Sequence, residues 1–459
     1  MATVVNKIFV FIIVSTLAFA QEYSKGLVFD DEEYDNTPTT AKLLSRDFEI
    51  LPSSISLRAY APMVGNQGKT GTCTAWATAY GARTILESIE KHRKNRVSTT
   101  QNVFSPSYIY NQIRYHRGCQ EGTNIGHALK LIKREGVAKF NQFGFNCNKS
   151  VTQYDRKLAS SYKIDGYKTL FRVGDRNKIQ PVKKALSEYK PVIIGMNTPD
   201  SFSNARSAWR PRQHDYYGNF GGHAMVVVGY DDNKYGGSFQ LMNSWGKQWG
   251  NNGFTWIRYS DFKHFVKYSY EMIPKPSVKK SIKLGGEIKF IDSNGKEMRA
   301  TYNSIDKIYR MNQPYRSGTK FNFFMKNAQP AYLYAFGLDS VGKVSNIFPH
   351  NRKISAYLGY KNSTVAFPDE NSYIRMDNHT GKDYFIILYS KKGLKNIDEI
   401  KRRFSSLSGS VKSRLDKVLR SYLIDENQID FSTRKIKFNY NSNYLDSIII
   451  AVIVEFEHI

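Results

Sequence analysis

Residues 67–76 read Q-G-K-T-G-T-C-T-A-W, a glycine-containing turn that runs directly into a helical pattern over residues 75–87. This arrangement predicts that Cys73 lies at the N-terminus of a helix. The unpaired backbone N–H groups and the positive end of the helix dipole favour a thiolate there, which lowers the pKa of a cysteine. Because a thiolate attacks carbonyl carbon, Cys73 is a candidate nucleophile.

Gln67 precedes Cys73 in the same turn, and its side-chain amide can point toward the space in front of the sulfur. Together with the backbone N–H of Cys73 it would form an oxyanion hole, the pair of donors that stabilises the negative oxygen in acyl transfer. The alternative from these residues alone is a glutamine of the turn beside a small buried cysteine.

Two further segments carry polar side chains suited to the same chemistry. G-G-H-A-M-V-V-V-G-Y begins at Gly221 and predicts a β-branched strand with His223 at its start, where the ring can face a cleft and act as a base. Taken alone, such a histidine is more often structural. L-M-N-S-W-G places Asn243 at the end of an apolar run, where its amide can accept the imidazole N–H, and Trp245 can shield that bond from water.

The composition is that of a folded, basic protein. The chain has 459 residues, of which 41% are hydrophobic, and this length favours two domains plus a short leader. Lys and Arg total 67 against 40 Asp and Glu, a net charge of +27. The charge is spread over both halves without a single basic stripe, so we expect a basic soluble surface and no nucleic-acid partner.

The N-terminus resembles a secretory signal peptide over residues 1–20. Lys7 precedes an apolar run at residues 8–14, and the small-residue site Ala18-Phe19-Ala20 follows. We expect cleavage after Ala20 and a secreted or periplasmic protein. The alternative is an uncleaved anchor, but the run is shorter than the roughly 20 residues of a membrane-spanning helix. No later segment predicts a membrane span.

Pattern changes divide the rest of the chain. Residues 21–50 are polar and acidic without a helical or strand period, which predicts a flexible segment. Dense patterns begin at residue 51, and Pro274 and Pro276 interrupt them, so we place a first domain at residues 51–274 and a second at residues 275–459.

The second domain reads as β-rich with two helices. Its strand-like runs are at residues 331–336, 385–389 and 448–454, and apolar residues at helical spacing occupy residues 397–407 and 411–422. Its acidic residues are not spaced as metal ligands, so we expect no metal site.

The elements Q-G-x-x-G-x-C, G-H-A and N-S-W-G occur in this order over residues 51–272 and resemble those around the Cys, His and Asn of the papain family. The resemblance implies an α+β fold with a helical half, a β-barrel-like half and a cleft between them. It implies that Cys73 is the nucleophile, His223 the base and Asn243 the residue that orients the base. It also implies that Gln67 is the oxyanion donor and that Trp245 shields the hydrogen bond between His223 and Asn243.

Several positions bear on the cleft by the same resemblance. Gly122 resembles a backbone position that binds extended substrate, although Glu121 stands where a second glycine is common. Thr70 occupies the position of a usual disulfide cysteine, and Thr74 replaces a large aromatic residue. Residues 21–50 are too few for the long helical inhibitory propeptide of many members, which leaves the restraint of activity open.

Cys119 and Cys147 are expected to form a disulfide, since an exported chain with three cysteines leaves one unpaired and the nucleophile must stay free. In the papain family the residue resembling Cys119 commonly bonds to a cysteine where this chain has Thr70. The alternative is two separate buried thiols.

Residues 331–349 are similar to a domain of unknown function that follows peptidase domains in some bacterial secreted chains. That similarity implies an accessory domain without an assigned activity.

The leading hypothesis is therefore a cysteine peptidase that hydrolyses protein or peptide substrates through an acyl-enzyme, without a metal or cofactor. Two alternatives stay open. One is an inactive binding or adhesion module with the same fold, and the other is a transferase that passes the acyl group to an amine.

Overall fold

The computed structural model describes residues 23–45, 47, 51–276, 282–370, 372–442 and 448–459. The leader predicted at residues 1–20 lies outside the described residues. No helix in the described part of the chain is long and apolar enough to cross a membrane.

Helices are numbered here in chain order, and short 3₁₀ turns connect several of them. α2 joins three consecutive segments, the central one π-helical: Cys73–Ala75, Trp76–Arg83 and Thr84–Glu90. The other helices are α1 Asp31–Asn36, α3 Arg96–Gln101, α4 Pro106–Ile113, α5 Ile125–Arg134, α6 Phe140–Phe143, α7 Gln153–Ala159, α8 Ile179–Ser187, α9 Tyr259–Phe265, α10 Ile397–Ser406 and α11 Val411–Leu419.

The strands follow the same convention. Those that precede residue 275 are β1 Ser54–Ser56, β2 Gly166–Thr169, β3 Val192–Asn197, β4 Gly222–Asp231, β5 Ser238–Met242, β6 Phe254–Arg258 and β7 Val266–Ile273. Those that follow are β8 Ile282–Asp292, β9 Glu297–Met298, β10 Ala300–Asn303, β11 Ile308–Met311, β12 Lys320–Asn327, β13 Ala331–Leu338, β14 Val344–Phe348, β15 Tyr357–Leu358, β16 Ser363–Phe367, β17 Ile374–Arg375, β18 Gly381–Ser390, β19 Asp430–Phe431, β20 Ile436–Ser442 and β21 Ile449–His458.

The first part of the chain has a helical half and a sheet half that share one core. The sheet has the strand order β2-β7-β3-β4-β5-β6, and β1 pairs with β4. The central helix α2 is buried along most of its length, and β4 is buried from Gly222 to Tyr230. Burial on all sides explains why both sequences are mainly apolar or small, although α2 also buries the charged side chains of Arg83 and Glu87. This architecture confirms the fold class predicted from the sequence.

The second part is a sandwich of two sheets that carries helices on one outer face. One sheet has the order β10-β11-β21-β18-β13-β14 and the other the order β16-β12-β8-β20-β19. Alternate side chains of β13, β18 and β21 face the core between the sheets, and the intervening ones pack against α10 and α11. The predicted β-rich domain with two helices is confirmed.

The two parts meet through a buried charged cluster. Oε1 of Glu271 on β7 lies 2.9 Å from Nζ of Lys190, and Oε2 lies 3.7 Å from Nζ of Lys168. From the second part, the hydroxyl of Tyr360 donates to Oε2 of Glu271 at 2.9 Å, and the carbonyl of Gly359 accepts from Lys190 at 2.8 Å. The charges are thus paired and hydrogen-bonded across the contact.

The sequence predicts a flexible N-terminal segment, but its described residues pack against the rest of the chain. Asp30 caps α1 by accepting from the backbone N–H of Glu33, and the side chain of Tyr34 is fully buried. The ring of Tyr34 stacks on Tyr268 with centroids 4.2 Å apart, and its hydroxyl donates to the carbonyl of Phe171 at 2.6 Å. Packing against the sheet half, which no local pattern reveals, orders this polar stretch.

Candidate active site

Cys73 is the first residue of α2, where the sequence pattern put it. Its side chain is completely buried, and it is the free cysteine of the chain. The backbone N–H groups of Ala224, Gly26 and Thr74 face the sulfur and favour its thiolate form. Since Ala224 follows His223 on β4, the thiol lies beside the strand that carries the candidate base.

His223, Asn243 and Trp245 form one contiguous group. Nε2 of His223 lies 2.7 Å from Oδ1 of Asn243, which directly follows β5. The imidazole stacks on the indole of Trp245 with ring centroids 4.5 Å apart and an interplanar angle of 25°. Nδ1 of His223 has no hydrogen-bond partner among the described residues. The ring is thus held at one nitrogen and covered on one face, which leaves its other nitrogen available to accept a proton.

The Gln67 amide is fixed in orientation by its neighbours. The hydroxyl of Ser244 donates to Oε1 of Gln67 at 2.6 Å, and Nε2 donates to the carbonyl of Thr70 at 2.7 Å. Ser244 lies within the N-S-W-G motif, and the motif alone does not indicate this contact. Because the Ser244 hydroxyl donates to Oε1, the N–H groups of the Gln67 amide lie on the opposite side. In the sequence, the only signal for this contact is the position of Ser244 next to Asn243.

Residues 23–30, called the cap segment from here on, lie across the sulfur of Cys73. The backbone N–H of Gly26 faces that sulfur and favours its thiolate form. A Cβ at Gly26 would lie 2.1 Å from the carbonyl oxygen of Gly71, so the close approach requires glycine. No local sequence pattern indicates this placement.

Backbone hydrogen bonds hold the cap segment between the two halves. The N–H of Leu27 donates to the carbonyl of Gly222 at 3.0 Å, one residue before His223. On the opposite wall the N–H of Thr123 donates to the carbonyl of Gly26 at 2.8 Å, and the N–H of Val28 donates to the carbonyl of Thr123 at 3.1 Å. The cap segment therefore bridges the cleft as an added strand.

The carbonyl of Ser24 occupies the position in front of Gln67. It accepts from Nε2 of Gln67 and from Nε1 of Trp245, each at 3.1 Å. The ring of Tyr23 stacks on Trp245 with centroids 4.7 Å apart. The cap segment thus engages two of the side chains that the sequence singled out and covers a third, Cys73.

Burial under the cap segment reverses the direction of the pKa shift that the sequence predicts for Cys73. Burial raises the pKa of Cys73 to about 11, although the surrounding N–H donors oppose the shift. Burial lowers the pKa of His223 to about 4, opposed by its bond to Asn243 and assisted by the charge of Lys25. The expected lowered thiol pKa is therefore wrong for the covered state, because desolvation outweighs the helix N-terminus. The pair is a neutral thiol and a neutral imidazole.

A pH dependence follows from the lowered pKa of His223. When the cap segment leaves, this pKa returns toward its ordinary value near 6.5, so the open state binds more protons below that pH. The covered state should lose stability relative to the open state as the pH falls from about 6.5 to about 4, by on the order of 3 kcal/mol. Hydrogen exchange at the Leu27 amide, corrected for intrinsic rates, should show falling protection over this range.

The matched control is His223→Gln, which removes the titrating group. Its Leu27 protection should stay nearly level over the same pH range. An equal pH dependence in both proteins would contradict the assignment to His223.

Gly122 lies directly under the cap segment. A Cβ there would lie 2.8 Å from the carbonyl oxygen of Gly26, so backbone approaches backbone at this point. The side chain of Glu121, which replaces the second glycine common in the papain family, turns outward to His116. The hydroxyl of Thr74, in place of the usual aromatic, donates to the carbonyl of Thr123 at 2.9 Å and ties α2 to the cleft wall.

Cys119 and Cys147 are joined as a disulfide with their Cα atoms 5.5 Å apart. The carbonyl of Cys119 accepts from the N–H of Gly71 at 2.7 Å, so the bridge lies beside the turn that carries Cys73. Thr70, at the position of a usual disulfide cysteine, instead donates its hydroxyl to the carbonyl of Gln67 at 2.7 Å. A hydrogen bond thus ties the turn locally where the disulfide partner is missing.

Among the described residues of the second part of the chain, one group of potential metal ligands occurs, against the expectation from sequence spacing. Ligand atoms of Asp339, Asp377 and His379 lie within 4.8 Å of one another. Nδ1 of His379 already lies 3.4 Å from Asp377, and Asp339 accepts from the backbone N–H groups of Val341 and Lys343. The sequence missed the group because the fold brings separate turns together.

Comparison with known proteins shows which proteins this part of the chain resembles. Residues 51–271 match the model of the papain family of cysteine proteases. The fold of this part of the chain is papain-like. Residues 314–393 match the model of a domain of unknown function, DUF4384. These matches support a cysteine peptidase at the level of the family.

Several proteins are similar to part of this chain. An uncharacterized peptidase C1-like protein of Acanthamoeba polyphaga mimivirus is 29% identical over 41% of this chain and 62% of its own length. A cysteine protease of Blomia tropicalis is 26% identical over 45% of this chain and 61% of its own length. The chain thus spans about three fifths of these curated relatives. Among solved structures, xylellain, a cysteine protease from Xylella fastidiosa, has 22% identity and a TM-score of 0.46, covering 55% of this chain and 96% of that protein.

Proposed function

We propose that this chain is a cysteine peptidase that hydrolyses peptide bonds through an acyl-enzyme, with Cys73 as nucleophile and His223 as base. The observation that carries the proposal is the 2.7 Å hydrogen bond between His223 and Asn243, within a domain that matches the papain family. That bond fixes the imidazole so that Nδ1 remains to accept the thiol proton.

The first half of the reaction forms a thioester. The proton of Cys73 passes to His223, and the sulfur forms a bond to the carbonyl carbon of the substrate. The electron pair of the C=O bond moves onto oxygen, where the Gln67 amide and the Cys73 N–H stabilise it. The C–N bond then breaks, and the amine leaves with the proton from His223.

The second half of the reaction hydrolyses the thioester. Water attacks the acyl carbon while His223 accepts its proton, and the carboxylic acid leaves as the C–S bond breaks and the thiol is restored. Asn243 keeps the imidazole oriented through both halves, and Trp245 shields their hydrogen bond from water. These steps need no metal or cofactor.

We infer that the covered state is latent. The Ser24 carbonyl accepts the amide hydrogen that the oxyanion needs, and the thiol is buried with its pKa raised to about 11. A substrate and the cap segment therefore compete for one cleft. The short acidic segment takes the place of the long helical propeptide whose absence left the restraint of activity open.

An active-site label tests the proposal. Gly26→Val adds a side chain that cannot fit against the Gly71 carbonyl, so it should displace the cap segment. In that variant a thiol-directed epoxide should modify Cys73, and adding His223→Ala should slow the labelling about 100-fold, as expected for loss of a general base. Peptide mapping identifies the modified residue.

His264→Ala is the matched control, because this exposed histidine lies in the same domain away from the cleft. It should label at the rate of Gly26→Val alone. Equal labelling of the His223→Ala protein, or of a denatured sample, would contradict a thiolate and imidazole pair.

Asn243→Ala should leave partial activity. The variant loses one hydrogen bond to His223, and a charge-assisted bond contributes roughly 1.5–3 kcal/mol. We therefore expect kcat to fall about 10- to 100-fold in the Gly26→Val background. The exposed Asn233→Ala should keep the parental kcat, and an Asn243→Ala protein at the same kcat would show that the ring needs no such support.

We also propose the division and destination of the chain. Residues 51–274 form the peptidase domain and residues 275–459 the accessory domain, separated at Pro274 and Pro276. A leader over residues 1–20, cleaved after Ala20, would export the chain to a secreted or periplasmic location where a disulfide persists. Its partners there would be protein or peptide substrates.

A further inference from the structure

The residues that follow the cap segment and α1 lie on the second domain. Residues 37–45, called the tether from here on, run along the junction between the two domains. Within the tether, the N–H of Thr39 donates to the carbonyl of Lys353, and its carbonyl accepts from the N–H of Ser355, each at 2.8 Å. Thr39 also forms a β-bridge to Thr169 at the end of β2, so one residue joins both domains.

Further along, the tether pairs with β16, the edge strand of one sandwich sheet. Leu43 forms an antiparallel bridge with Val365, and the N–H of Leu44 donates to the carbonyl of Thr364 at 3.1 Å. Just beyond, the N–H of Thr364 donates to Oδ2 of Asp47 at 2.6 Å. The tether thus adds a strand to an exposed sheet edge, a mode of binding in which backbone hydrogen bonds supply the affinity.

Side chains of the tether also enter the second domain. Ala41 belongs to the core between the two sheets, and Leu43 packs against that core. At the end of the tether both carboxylate oxygens of Glu370 accept from Ser45, one from its N–H and one from its hydroxyl, each at 3.0 Å. The contact therefore combines buried apolar area with a charge-assisted bond.

Hydrogen bonds and ring contacts connect the tether back to the cleft. The guanidinium of Arg172 donates to the carbonyls of Asp35 and Thr37, at 2.6 and 3.1 Å, and also to the carbonyl of Lys353 in the second domain. Tyr34 anchors α1 between these residues and the cap segment. A fixed tether therefore limits how far the cap segment can move from Cys73.

We propose that the second domain holds the tether and thereby keeps the cap segment over Cys73. This gives the domain of unknown function a role: it is the docking surface of an inhibitory segment of its own chain. Ordering the tether raises the effective concentration of the cap segment at the cleft, because the segment then samples fewer positions away from it. That the covered state is latent rests on the proposed peptidase function, but the docking itself does not.

The experiment measures alkylation of Cys73 by iodoacetamide in the native, unreduced full-length chain, where the other two cysteines are bonded. Leu43→Asp places a carboxylate against the sandwich core and should release the tether, and Glu370→Ala removes a surface contact without touching that core. We expect Cys73 to react at least 10-fold faster in Leu43→Asp and a few-fold faster in Glu370→Ala.

Two controls bracket these rates. Glu32→Ala changes an exposed residue of α1 and should react at the parental rate, whereas Gly26→Val displaces the cap segment directly and sets the upper limit. Hydrogen exchange of residues 39–45 reports release of the tether, and unchanged protection of β18 reports an intact sandwich.

Two results would overturn the proposal. The first is fast hydrogen exchange of the tether while Cys73 keeps its parental alkylation rate. The second is that neither Leu43→Asp nor Glu370→Ala increases the hydrogen exchange of the tether. Hydrolysis of casein is measured separately. Faster alkylation without hydrolysis in any variant would retain the docking role and count against the peptidase instead.

Discussion

Cys73→Ala should abolish peptide hydrolysis in a protein whose cap segment has been displaced by Gly26→Val. The substitution removes the atom that bonds to the acyl carbon, and no neighbouring side chain can replace it. We expect the rate of casein hydrolysis to fall by about four orders of magnitude or more, the scale at which loss of a nucleophile acts. The fold should persist, since Ala is smaller than Cys and fits the same helix start.

The matched control removes the other two cysteines. Cys119→Ala combined with Cys147→Ala deletes the disulfide but leaves Cys73, so that protein should be less stable and still hydrolyse casein at a low temperature. Circular dichroism confirms folding in each case. A purified Cys73→Ala protein that cleaves casein at the rate of its Gly26→Val parent would remove Cys73 from the mechanism.

Glu271→Gln should lower the free energy of unfolding by about 3–5 kcal/mol, the range for breaking a buried ion pair from one side. The carboxylate is completely buried and pairs with the ammonium groups of Lys168 and Lys190. These two lysines hold the pKa of Glu271 below its usual value in spite of burial. Without the carboxylate, two buried ammonium groups lose their counter-charge at the junction of the domains.

The loss should depend on pH. Burial lowers the pKa of Lys168 to about 8 even with Glu271 present. In the variant this pKa falls further, so the unfolded chain binds more protons than the folded one up to about pH 10.4, the ordinary lysine value. Stability therefore rises with pH, and the deficit at pH 7 should shrink as the pH rises toward 10.

Urea denaturation at pH 7 and pH 9.5 measures both effects. Asp398→Asn is the control, because its exposed carboxylate pairs with Lys401 at 2.8 Å and with Arg352 at 3.5 Å, and pairs of an exposed carboxylate contribute little. It should shift the unfolding free energy by less than about 0.5 kcal/mol. A Glu271→Gln protein as stable as the Asp398→Asn control at pH 7 would contradict a stabilising role for the buried cluster.

The elements around the candidate site were predictable because their patterns are local. A glycine-containing turn before an apolar helix places Cys73 at the start of α2, and a β-branched run places His223 at the start of β4. The β-prone runs at β13 and β18 likewise indicated strands of a β-rich domain, and both faces of these strands are covered. The papain-like fold class followed from the order of the motifs.

The N-terminal segment could not be predicted in this way. Residues 23–45 are polar and lack a period, and their order comes from Tyr34 in the sheet half, Gly26 in the cleft and Leu43 on the sandwich edge. Each partner lies far away along the chain. A local pattern reports the preference of a segment for helix or strand, but it carries no information about a distant surface that the segment fits.

The sequence by itself determined which side chains are available for chemistry and which elements carry them. Only the tertiary structure decided the state of those side chains. It surrounds Cys73 with the cap segment, so that burial raises the pKa of the thiol although the helix N-terminus favours the thiolate. The start of a helix is set within a few residues, so the position of Cys73 was predictable. Burial depends on every part of the chain that reaches a site, so the pKa of Cys73 was not predictable from the local sequence.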